Sequence, residues 1–121
     1  MSKYESDTVR IIQLATLSAL VDGQASDAEI DVLVTATSER CAIEADDARA
    51  LATKMIERYA SKQLAADPVS LVRHGKNAMR RLSGRQRKLA LEIATQVAAA
   101  SPGGEAAETK FLRQLERVAR A

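Results

Sequence analysis

The stretch Ala19-Leu20-Val21-Asp22-Gly23-Gln24-Ala25-Ser26-Asp27-Ala28-Glu29-Ile30-Asp31-Val32-Leu33-Val34 reads as the end of one helix, a turn and the start of another. Gly23 suits the left-handed conformation common just past a helix C-terminus. Ser26-Asp27-Ala28-Glu29 is a capping box: the Ser26 hydroxyl accepts from the Glu29 amide, and the Glu29 carboxylate accepts from the Ser26 amide. Upstream, Asp7 can cap a helix through Val21, with Val9, Ile12, Ala15, Thr16, Ala19 and Leu20 at three- and four-residue steps. Downstream, Ile30, Leu33, Val34 and Thr37 give the apolar stripe of a helix that reaches about Arg40.

The same signs recur along the chain. A third helix is predicted over 44–59, with Asp46 and Asp47 at its positive dipole end and Leu51, Met55 and Tyr59 on its buried side. Asp67-Pro68 opens a fourth over 68–82, weakened in the middle by Gly75. Ser83 caps a fifth, to about Ala100, with Leu89, Ile93, Val97 and Ala100 on one face. The run Ser101-Pro102-Gly103-Gly104 breaks it, and a sixth follows with Phe111, Leu112, Leu115 and Val118 inward. The connections are short and contain no Pro/Gly/Ser-rich linker. The expected fold is therefore all-α, a single compact bundle of six to seven helices across residues 1–121.

Composition agrees with that reading. The chain has 121 residues, of which 46% are hydrophobic and only 2% aromatic, and strand-rich folds lean on aromatic side chains. A domain of this size can bury a core without disulfides, and the single Cys41 cannot form an internal one. The polar start MSKYESD, and the lack of an apolar run near the roughly 20 residues of a membrane helix, predict a soluble, cytoplasmic chain.

A net charge of +2 conceals an asymmetry. Residues 1–60 hold 6 basic and 11 acidic side chains, whereas 61–121 hold 12 and 5, so the halves carry about −5 and +7. Such a split suits a homo-oligomer that pairs its own halves, or two faces for different partners, or simply an unevenly charged solvated surface.

Sliding the chain by 79 residues lays the first two helices on the last two. Ala15 meets Ala94, Thr16 meets Thr95, Ala19 meets Ala98, Glu29 meets Glu108 and Leu33 meets Leu112. The bundle is thus expected to contain a pseudo-repeat of helix pairs.

With that repeat in view, residues 19–29 resemble the A-x-x-D-G-x-x-x-x-x-E signature of the TerB-like, or tellurite-resistance-B-like, domains. Those domains are all-helical and carry the signature twice; in the second copy here Ser101-Pro102 replace Asp-Gly, and Glu108 with Phe111-Leu112 keeps the pattern. The resemblance implies a non-enzymatic bacterial stress-response module that works by binding a protein partner. It also implies a divalent cation, such as calcium, held by Asp22 and Glu29 with Asp27 and Glu108. The same loop overlays the second half of a calcium-binding EF-hand loop, with Asp22, Gly23, Ser26 and Glu29 at positions 5, 6, 9 and 12. Positions 1 and 3 would be Ser18 and Leu20, inside the first helix, so a complete cage is not available locally. A helix–turn–helix corner with two caps accounts for the same residues.

The segment 73–88 carries seven cations, Arg73, Lys76, Arg80, Arg81, Arg85, Arg87 and Lys88, and no acid. Phosphate backbones attract such a patch, which leaves a small nucleic-acid-binding or regulatory protein as the alternative function. It contains no aromatic residue to stack a base, and an acidic protein, an anionic lipid surface, the chain's own acidic half or plain solvation would account for it equally. One His and one Cys, His74 and Cys41, offer little for nucleophilic catalysis or zinc, and no catalytic residue is expected.

Overall fold

A computed structural model describes residues 6–21, 25–61, 67–100 and 105–120, the side chains of Pro68 and of residues 105–109 excepted. The described residues form six helices, α1 (Ser6–Leu20), α2 (Asp27–Arg40), α3 (Ala45–Ser61), α4 (Pro68–Arg80), α5 (Gly84–Ala99) and α6 (Glu105–Arg120), with no strand among them. No helix among them is long and apolar enough to cross a membrane.

Helix α1 is the axis of the bundle and touches all five others. The stripe expected on one of its faces is wider than a stripe. Ile11, Leu14, Leu17 and Ser18 are buried along with Ile12, Ala15, Thr16, Ala19 and Leu20, because neighbours surround the helix. A fully enclosed helix must satisfy its polar side chains internally. Thr16 Oγ1 donates to Ile12 O at 2.8 Å, and Ser18 Oγ donates to Ala94 O of α5 at 3.2 Å. That second bond is possible because Ala15 and Ala19 of α1 and Ala90, Ala94 and Ala98 of α5 let the helices approach closely; all five are buried.

The repeat is visible in the helix boundaries. A shift of 79 residues carries α1 onto 85–99 and α2 onto 106–119, inside α5 and α6. Ile11, Leu14, Ala15 and Ala19 thereby overlay Ala90, Ile93, Ala94 and Ala98, all buried. The second pair departs from it. Helix α6 turns Phe111, Leu115 and Val118 inward, the equivalents of Val32, Ala36 and the exposed Glu39, while Leu112 is only half-buried.

Around the axis, α2 and α3 pack together on one part of α1, and α4 and α6 on another. In α3 the expected side is partly displaced. Ala48, Ala52 and Tyr59 are buried, whereas Leu51 and Met55 are half-buried beside the core, since small alanines admit the neighbouring helices and longer side chains flank the contact. Gly75 has a packing role: a Cβ there would lie 3.0 Å from Leu115 Cδ2 and 3.0 Å from Phe111 Cζ, so its absence lets α4 meet α6. Ala42, just past the C-cap of α2, has φ 53°, the left-handed conformation that glycine adopts more easily.

Candidate functional site

Two corners collect the candidate residues, one between α1 and α2 and one between α4 and α5. At the first, the capping box forms. Ser26 Oγ accepts from Glu29 N at 3.1 Å, and Glu29 Oε1 accepts from Ser26 N at 2.9 Å. Glu29 is 1% exposed, and its second oxygen, Oε2, is buried with no hydrogen-bond partner among the described residues. A buried carboxylate oxygen normally finds a donor or a cation, which makes this atom the exception at the corner. Asp27 is exposed in the first turn of α2. Asp22, Gly23 and the side chain of Glu108 lie outside the described residues, as do the break at 101–104 and the stop at Gly23. Among the described residues no three His, Cys, Asp or Glu side chains cluster to hold a metal. Ser18 and Leu20 are buried inside α1, so the front half of a calcium loop is absent, as the sequence requires.

The second corner divides the seven cations of 73–88. Arg87 is structural: its Nε donates to Met79 O at 2.9 Å and its Nη2 to Arg80 O at 3.2 Å, closing the carbonyl end of α4. Arg80 reaches Asn77 Oδ1 at 3.3 Å. Arg73 stands near Asp67, the N-cap of α4. The Asp67 carboxyl is held below its ordinary range, first by the Ser70 hydroxyl, which donates to it at 2.7 Å, and then by the Ser70 and Val69 amides. Lys76 is half-buried and lines a cavity between α4 and α6. Arg81, Arg85 and Lys88 remain, exposed and without an ion pair among the described residues. Arg85 and Lys88 line a polar depression with Arg40, at the end of α2, and Glu92; Arg40 and Glu92 form an ion pair across it.

The placement of α5 sharpens this observation. Its first turns carry Arg85, Arg87 and Lys88 and no acid, although the positive end of a helix dipole disfavours cations. Only Arg87 is compensated, by carbonyls of the preceding helix. Sequence reasoning grouped Arg87 with the binding cations because its eight-residue reach back to α4 leaves no local signature.

Cys41 and His74 are engaged elsewhere. Burial pushes the Cys41 thiol pKa up, with Arg40 a smaller opposing influence, which favours the protonated thiol over a nucleophilic thiolate. Cys41 ends α2, whereas the His74 ring lies edge-on to Tyr59 of α3 at 5.7 Å. The Tyr59 hydroxyl accepts from Gln13 Nε2 at 2.9 Å, fixing the ring between α1 and α4.

No protein-family model, curated protein or solved structure matches this chain. The residues themselves therefore carry the functional argument.

Proposed function

We propose that the protein is a non-enzymatic interaction module that binds an acidic protein segment at the α4–α5 corner. The observation that supports this reading is that Arg81, Arg85 and Lys88 stand at one corner, exposed and without an ion pair among the described residues. Arg85 and Lys88, unpaired at the positive end of α5, lower stability slightly, and an anionic partner would offset that cost. The resemblance of residues 19–29 to the tellurite-resistance-B signature supports a stress-response setting in a bacterial cytoplasm.

The test is binding of a fluorescein-labelled Asp/Glu-rich peptide by the wild type and by the triple variant R81E/R85E/K88E. Saturable binding at low salt, lost in the triple variant, supports the reading. Tighter binding of single-stranded or duplex oligonucleotide, falling steeply with salt, would replace it with the nucleic-acid alternative. Sedimentation of the free protein at low salt separates a foreign acidic partner from the chain's own acidic half.

A cation at the first corner is a second reading, favoured by the unpartnered Glu29 Oε2. Glu29 can offer that one oxygen, and Asp22, Asp27 and Glu108 would supply the others. Calcium bound only to the folded state must raise the melting temperature. An unchanged value at millimolar calcium, or an equal rise in Glu29→Gln, removes this reading.

A further inference from the structure

Beside the Gly75 contact, α4 and α6 border a half-open cavity of about 460 Å³ with the end of α1. Val21, Val69, Val72 and Phe111 make its apolar lining, with Lys76 and Lys110 as its cations and Gln114 as a neutral polar group. Val69 is 71% exposed, the one large hydrophobic side chain so open among the described residues. Phe111, by contrast, is 2% exposed and fixed against Gly75, so the site has an ordered floor. Its volume lies within the roughly 300–1,000 Å³ of small-molecule sites, which are mostly apolar with a few polar groups that orient the ligand.

The charges decide which ligand fits. Among the described residues no carboxylate lines the cavity, and neither lysine has an ion pair. A lysine lays its methylene stem along apolar surface and keeps its ammonium toward water or an anion. Two such groups on an aliphatic hollow complement a molecule with one apolar tail and one anionic head.

We infer that this cavity binds a monomeric aliphatic carboxylate. Its chain lies against Val21, Val72 and Phe111, and its carboxylate is taken by the Lys76 and Lys110 ammonium groups. Lys76 is thereby separated in role from Arg81, Arg85 and Lys88, and the site stands independently of the acidic-partner surface.

Calorimetric titration of the full chain with dodecanoate, kept below micelle formation, tests it. Saturable one-to-one binding is expected, weaker for hexanoate and absent for dodecyltrimethylammonium. K76E/K110E should weaken binding by about tenfold or more, the scale of a lost charge-assisted contact, with an unchanged circular dichroism spectrum. Val72→Trp, which puts an indole where the chain would lie, should weaken it, while R81E/R85E/K88E should bind as the wild type does. If Val72→Trp fails to fold, the lysine pair and the head-group comparison still decide. Absence of saturable binding, equal binding of the cationic amphiphile, unchanged affinity in K76E/K110E, or binding only to anionic vesicles or an acidic amphipathic peptide overturns the inference.

Discussion

The α1–α2 and α4–α5 corners use one local device with opposite charge. Each second helix starts on a serine, Ser26 or Ser83, whose hydroxyl accepts the amide three residues on, at 3.1 Å from Glu29 and 3.4 Å from Gln86. Each corner also has one long charged side chain bonded to backbone, Glu29 to an amide and Arg87 to two carbonyls. They differ in what is left over. Glu29 is enclosed with one oxygen unmatched, whereas Arg81, Arg85 and Lys88 stand in solvent beyond Arg87. A residue's charge therefore does not reveal whether it builds the corner or faces a partner; its backbone contacts do.

Urea unfolding followed by circular dichroism tests that contrast. The largest effect is expected for Glu29→Ala, which removes a buried capping-box acceptor at the start of α2 and should cost about 1–2 kcal/mol. Arg87→Met keeps the aliphatic stem but removes its bonds to Met79 O, which retains the Leu82 amide, and to Arg80 O, and should cost about 1 kcal/mol. If Arg87 proves as neutral as its cationic neighbours, the division of the patch fails. Ser83→Ala should cost about 0.5 kcal/mol, less than Ser26→Ala, because its cap bond is longer and no reciprocal side-chain bond accompanies it. The smallest change is expected for R81Q/R85Q/K88Q, within about 0.5 kcal/mol of the wild type, as befits solvated side chains.

The other end of α4 adds a pH dependence. The Asp67 pKa is lower folded than unfolded, so its stabilisation is present above the ordinary carboxylate range and is lost as pH falls through the folded value. Asp67→Asn keeps a neutral cap. Its stability relative to the wild type should rise as the solution is acidified below that range, which paired melts at neutral and acid pH would show.

Helix positions were legible because caps and apolar spacing are local. Ser26, Asp67 and Ser83 are N-caps as read, and α1 and α2 carry over by 79 residues into α5 and α6. Burial was less legible wherever it depends on neighbours. The burial of α1 on most sides from Ile11 to Leu20, the alanine face of α3 and the rotated face of α6 follow from which helices come to lie alongside. In the candidate sites, the excess of cations in 73–88 was plain, but their division into a cap, a cavity lining and a free surface was not.

The all-α class, the caps Ser26, Asp67 and Ser83 and the charge asymmetry between halves follow from the sequence alone, since they depend on residues within a few positions of one another or on composition, whereas Asp7, expected to cap α1, lies within its first turn. Only the tertiary structure decided that Arg87 closes α4, that Gly75 admits Phe111 and Leu115, and that Lys76 and Lys110, 34 positions apart, share an apolar cavity. Those relations join segments that meet only when helices pack, and packing is set by the shapes of whole helix faces rather than by any local pattern.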